Sequence, residues 1–278
     1  MKIDGRTIAD QILNDLSAWI NTLQQQGITP ALAVIQVGDD PGSTAYIRQK
    51  QKAADQIGAK LILNHESGST NQEKLHLLII QFNNDPKVHG IIVQRPLPKT
   101  LHASNILPSK DIDGFLPGSP HPVPVAEAVT KILARVFHSS LITHHSSLDD
   151  MLRTKHIVVI GRGETAGKPI AEALIKQGCN VSVIHSQTPN PDEFIKAADV
   201  VISCVGKPNI VRRDNIKKGA ILISVGLSRD SQGTLRGDYE EDEIKDTASY
   251  YTPTPGGVGP VNVACLMGNL VQAASKLL

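Results

Sequence analysis

Aromatic residues are scarce, at 3% of the 278 residues. That removes the stacking platforms on which single-stranded nucleic acid is read. Cysteine is nearly absent too: Cys179, Cys204 and Cys265 are odd in number and far apart. Neither a disulfide framework nor a metal-ligand spacing follows, and a reducing cytoplasm is the expected setting. Each thiol is expected to serve as a small buried apolar residue. Excess charge is missing as well, with a formal net charge of +1. Nucleic acid and anionic membrane surfaces are therefore not expected partners. No apolar run approaches the length of a membrane span. Lys2, Asp4 and Arg6 bring charge at once, which is not the pattern of a secretory leader.

What is present alternates between two periodicities. Residues 7–26 place Ile8, Ile12, Leu16, Trp19, Ile20 and Leu23 on one helical stripe, and Gly27 ends it. Strands are expected over 31–37, 60–64 and 89–94, with helices over 43–57 and 72–83 between them. Such alternation predicts an α/β fold with parallel strands and ligands at the strands' carboxyl ends. Lys50 and Gln94 both lie just beyond such ends. Tyr46 and Lys50 are four apart, so a helix puts phenol and amine on one face. Alone, that pair reads equally as a surface tyrosine packed on a lysine stem. In Lys110-Asp-Ile-Asp-Gly-Phe115 the aspartates offer either an Asx turn or a carboxylate at the cleft edge. Gly and Pro crowd 118–124 and suit a hinge. A helix is expected over 126–136. The Ser/His-rich stretch 137–150, with His138, His144 and His145, reads as a solvated loop, and no metal site is expected there.

A second unit begins near Thr154. A buried strand, 156–160, runs into Gly161-Arg-Gly-Glu-Thr-Ala-Gly167 and then a helix over 168–177. Strand, glycine turn and helix start together make a phosphate cradle. The next strand, 180–184, ends in His185-Ser-Gln-Thr188, without the acidic residue that usually binds the ribose of NAD. Arg162 can instead meet a 2′-phosphate, which favours NADP with NAD possible. Strands over 200–205 and 220–225 end on Gly206-Lys-Pro208 and on Gly226. Those glycines either let a dinucleotide lie close or make ordinary strand-end turns. Residues 251–260 carry too much Pro and Gly for a helix or central strand, so a rigid loop is expected. A terminal helix over 262–278 is expected to return to the first domain. The domains are therefore drawn as 1–120 plus 261–278, and 121–260.

These stretches together resemble the bifunctional methylenetetrahydrofolate dehydrogenase/cyclohydrolase family. The matching runs are Ser43-x-x-Tyr46-x-x-x-Lys50, Gly90-Ile-Ile-Val-Gln94-x-Pro-Leu-Pro98, Lys110-Asp-Ile-Asp-Gly-Phe115, Val159-Ile-Gly-Arg-x-x-x-x-Gly-x-Pro169, Ala198-Asp-Val-Val-Ile-Ser-x-Val-Gly-Lys-Pro208 and Thr252-Pro-x-Pro-Gly-Gly-Val-Gly-Pro260. They keep the family's order along nearly the whole chain. The resemblance implies two α/β domains, one for folate and one Rossmann-like for NAD(P), in a cytoplasmic homodimer. It implies Lys50 as the acid/base group, Tyr46 against the folate, Gln94 on Lys50 and Asp113 on the pterin. Gly259 and Pro260 would wall the folate cleft. Gly161, Arg162, Gly163, Gly167, Ser186, Gly206, Pro208 and Gly226 would surround the cofactor. No metal is implied.

The chain also departs from the family pattern. Only residues 116–120 separate Phe115 from His121-Pro-Val-Pro124, where the family carries a longer segment. Gln187 stands in place of an arginine, Ser224 of an aspartate and Gly163 of a serine. Most of these changes fall on the cofactor side, so two other readings stay open. One is a cyclohydrolase with an impaired cofactor site. The other is a folate- or nucleotide-binding protein without catalysis.

Overall fold

A computed structural model describes residues 1–139 and 148–276. Two compact units emerge: residues 9–124 with 263–278, and residues 1–8 with 125–262.

In the first of these, helix α1 (Gly5–Gln25) leads to strand β1 (Ala31–Val37), α2 (Pro41–Ile57), β2 (Lys60–Glu66), α3 (Gln72–Asn84) and β3 (Gly90–Val93). The strands form a parallel sheet in the order β2-β1-β3. Every residue of β1, the central strand, and of β3 is buried, as in a parallel sheet covered on both faces. Helix α2 starts where Asp40 caps it, its carboxylate accepting from Ser43 N at 2.6 Å. It ends on Gly58 in the left-handed region. The last helix, α9 (Val258–Ser275), returns to pack on α1: Val263, Met267, Leu270 and Ala274 share a core with Leu13, Leu16, Ile20 and Leu23.

The other unit is built on α4 (Pro124–Ser139), α5 (Leu148–Arg153), β4 (His156–Ile160), α6 (Gly167–Lys176), β5 (Asn180–Ile184), α7 (Pro191–Ala197), β6 (Val200–Ser203), β7 (Ile221–Ser224), the antiparallel pair β8 (Ser228–Arg229) and β9 (Leu235–Arg236), α8 (Glu241–Ile244) and β10 (Tyr250–Tyr251). Its main sheet is parallel, in the order β10-β7-β6-β4-β5. The first residues of the chain join this unit: Ile3 N donates to Tyr251 O at 2.8 Å.

Several local expectations change. Trp19 is 44% exposed, because the buried stripe of α1 runs through Ala9, Leu13, Leu16, Ile20 and Leu23, and Trp19 lies beside it. Residues 251–260 are not one loop: β10 takes Tyr251, and α9 begins at Val258. Pro260 is tolerated there because first-turn N–H groups have no intrahelical partner. Cys179 and Cys265 are buried, but Cys204 is only partly so. His144 and His145 lie outside the described residues, as do the side-chain surroundings of His138. Among the described residues, no helix is long and apolar enough to cross a membrane.

Candidate active site

One cluster forms beyond the carboxyl ends of β1 and β3. Gln94 N donates to Ile35 O at 2.8 Å, so the residue continues the sheet ladder. Its side-chain Nε2 donates to Arg95 O at 2.9 Å. That leaves Oε1 as acceptor, and Lys50 Nζ donates to it at 2.9 Å. Ser43 Oγ donates to the same Arg95 carbonyl at 3.0 Å, tying α2 to the turn that follows β3. Lys50 is 8% exposed. Burial pushes its amine below the ordinary lysine range, while the charge of Asp113 opposes that shift. Burial also pushes the Asp113 carboxyl up, against the pull of Lys50 and Arg95 and together with the charge of Asp111. Tyr46 is half-buried one helical turn before Lys50, and burial raises its phenol. A desolvated amine beside one neutral acceptor and the charge of a carboxylate gives up its proton more readily than an ordinary lysine and can take it back.

The two aspartates have different surroundings. Asp111 is the turn-former: its Oδ2 accepts from Leu116 N at 2.8 Å, and its carbonyl accepts from Ser119 Oγ at 3.0 Å. Asp113 is the carboxylate electrostatically coupled to Lys50.

The second cluster is the turn from Gly161 to Gly167. Gly161 has φ +102°, and a Cβ on Gly167 would lie 2.1 Å from the Gly161 carbonyl oxygen. Both glycines are therefore required by the turn itself. Arg162 and Gly163 are exposed. Helix α6 begins behind them with Ala166 at its cap and no side-chain cap bond; Lys168 N donates to Gly163 O at 3.0 Å, and Pro169 has no N–H to leave unpaired. An uncapped helix start behind an open glycine turn fits a dinucleotide pyrophosphate. Arg162 Nη2 donates to Gln187 Oε1 at 3.4 Å, and Ser186 and Gln187 are exposed on the turn after β5.

Gly206 and Gly226 follow β6 and β7, at the same end of this sheet. A Cβ on Gly226 would meet Gly206 N at 2.2 Å, so these glycines let two strand-end turns pack together. Pro208 is exposed beyond them. Gly259 and Pro260 sit in the first turn of α9, within the unit that holds the glycine turn.

Some contributors were not marked in the sequence. Asp238 accepts from Lys207 N at 2.8 Å, and its own N–H donates to Ser224 Oγ at 3.0 Å, tying the ends of β6 and β7. Ser224 thus serves as an acceptor inside this joint. Nothing in Gly237-Asp238 signals that, because the partners lie on distant strands.

A parallel sheet with a glycine turn before an uncapped helix, and a buried amine held by a glutamine, define an α/β enzyme with a NAD(P)-binding unit. Residues 3–113 match the catalytic domain of tetrahydrofolate dehydrogenase/cyclohydrolase, and residues 139–278 match its NAD(P)-binding domain. The bifunctional protein FolD of Halalkalibacterium halodurans is 37% identical over 282 residues, covering 99% of this chain and 98% of that protein. FolD of Bacillus subtilis is also 37% identical, over 286 residues and the same shares. The crystal structure of the Campylobacter jejuni FolD dehydrogenase/cyclohydrolase superposes with a TM-score of 0.92 at 34% identity, covering 100% of this chain and 99% of that one. The Trypanosoma brucei enzyme, complexed with NADP and an inhibitor, gives 0.90 at 32% identity over 100% and 98%. The chain belongs to the tetrahydrofolate dehydrogenase/cyclohydrolase family.

Proposed function

We propose that the protein is a bifunctional enzyme of folate one-carbon metabolism. It oxidises 5,10-methylenetetrahydrofolate to 5,10-methenyltetrahydrofolate with NADP and hydrolyses that product to 10-formyltetrahydrofolate. The full-length family match supports the pair of activities, and the bond from Lys50 to Gln94 is the observation that carries the chemistry.

NADP, when bound, supplies the acceptor for the hydride that leaves the methylene carbon with its electron pair. The unit holding the glycine turn takes that cofactor: Gly161, Gly163 and Gly167 open the backbone at the start of α6. Arg162 and Ser186 reach its phosphates, with Gly206, Pro208 and Gly226 beyond. The unit holding Lys50 takes the folate. Tyr46 orients it, and Asp113 hydrogen-bonds the pterin. The oxidation leaves a cationic carbon, so orientation matters more than acid strength at this step.

Hydrolysis uses Lys50 directly. Its neutral amine accepts a proton as water adds to the methenyl carbon. The resulting ammonium returns a proton to the departing ring nitrogen as the C–N bond breaks. Gln94 Oε1 accepts from the amine and holds it in place. Asp113 keeps it protonatable against desolvation. Positioned groups of this kind contribute about 10²–10⁴-fold.

A homodimer is the proposed assembly. Edge strand β5 leaves Val183 exposed, and α6 and α7 leave Ile175 and Phe194 exposed, which supports self-association. Three thiols, with Cys179 and Cys265 buried and Cys204 partly so, support a reducing, cytoplasmic location.

Methenyltetrahydrofolate absorbance tests the reading. The purified protein should form methenyltetrahydrofolate from the methylene substrate with NADP, then consume it when it is supplied alone. Consumption without formation would reduce the protein to a cyclohydrolase. Neither signal, with ligand still bound, would leave a binding protein.

A further inference from the structure

We propose that Asn269, on the C-terminal helix, is a positioning residue that holds Asp113 against Lys50 by closing the short 113–121 loop at its base. The inference rests on the folate reading above and assigns a role to a residue far from the motifs that carry it.

Asn269 is 3% exposed. Its Nδ2 donates to Ile112 O at 2.8 Å and to Pro122 O at 2.9 Å. Those carbonyls flank the 113–121 segment, so one amide fastens both of its ends. Ile112, fully buried in the shared core of α1, α2 and α9, anchors the backbone just before Asp113. From the other side Lys110 Nζ donates to the carbonyls of Phe82, Asn83 and Asp85, at 2.9, 2.8 and 2.8 Å, where α3 ends. Gly114 completes the closure: at φ +70°, a Cβ there would lie 2.6 Å from His121 O and 2.9 Å from the Pro122 carbonyl. The loop is thus pressed onto its own returning segment at His121 and Pro122. A short connection in this place needs such fastening, because Asp113 must be presented without a long segment to brace it.

The electrostatics read out that placement. Asp113 raises the Lys50 amine against desolvation, and Asp111 and Arg95 act on Asp113. Loosening the loop moves the carboxylate away and lets the amine fall further.

The test uses the full chain with Asn269→Leu, which keeps the branch point and the number of heavy atoms and removes both donors. A second variant, Gly114→Ala, opens the loop from the opposite side should the first fail to fold. The Lys50 midpoint is measured without any folate, by acetylating lysines with acetic anhydride across pH and quantifying Lys50 by mass spectrometry. The midpoint should move to lower pH in either variant. The kcat/KM for methenyltetrahydrofolate should fall on the order of 10²-fold, as expected for a reacting group displaced by about 1 Å. An unchanged midpoint in the folded variants, even with a lowered Tm, overturns the inference. Absence of hydrolysis in the parent protein refutes the functional reading instead, and the acetylation midpoint still decides the role of Asn269.

Discussion

The Lys50 cluster and the glycine turn are two ways of building a site. Around Lys50, side chains from α2 and the end of β3 are joined by hydrogen bonds, and Asp113 of the aspartate turn acts on the amine through its charge. At Gly161–Gly167 the site is a turn with exposed residues 162–165, closed by Gly161 and Gly167, where a Cβ has no room. The first works by desolvation: it shifts an amine and a carboxyl toward their neutral forms. The second works through an open backbone turn and the positive end of the helix that starts behind it. Substitutions should therefore act differently. In the amine cluster they should change chemistry at modest structural cost. In the glycine turn they should change folding and cofactor binding together.

The sharpest break comes from Lys50→Met. Cyclohydrolase activity, followed by methenyl absorbance, should fall by about 10²–10⁴-fold, while the fold persists by circular dichroism. Wild-type-like hydrolysis would remove Lys50 from the mechanism. Gly167→Ala sits at the other pole. Its Cβ would lie 2.1 Å from a backbone oxygen, so a loss of about 1–3 kcal/mol in denaturant unfolding is expected, together with weakened NADP binding in fluorescence titration. Unaltered stability would show that the turn can relax.

Gln187→Arg sharpens the cofactor side. A charged donor beside Arg162 should favour NADP over NAD by about tenfold or more, since hydrogen bonds to charged groups are worth about 1.5–3 kcal/mol. An unchanged ratio of dissociation constants would place the 2′-phosphate elsewhere.

The smallest effect has a defined sign. Asp113 carries a carboxyl raised in the folded state, so the folded protein binds the proton more tightly than the unfolded chain. Its contribution is most favourable below the unfolded value and is lost as pH rises through the folded one. Asp113→Asn, which mimics the protonated form, should then raise Tm at pH 7 by a few degrees, or about 1 kcal/mol, while weakening folate binding. A lower Tm would mean that attraction to Lys50 outweighs desolvation.

Much of this was legible in the chain. Tyr46 and Lys50 share a face because α2 has a fixed period, and Gln94 follows β3 because the apolar run ends there. The glycine turn was visible from its place between a buried strand and a helix. Asn269 was not, since its partners lie 157 and 147 positions earlier and no local pattern links them. Nor could Gly206 and Gly226 be separated into ligand-facing and turn-packing roles before their mutual distance was known.

By itself, the order of apolar runs, glycines and caps determined the α/β alternation and the residues capable of proton transfer and phosphate binding, because helix period, strand period and backbone freedom are local properties. Only the tertiary structure decided which aspartate shapes the turn and which faces the amine, how far Lys50 is desolvated, and that the last helix fastens the loop between them. Those outcomes depend on distances between segments remote in sequence, and charge, burial and hydrogen bonding act through distance.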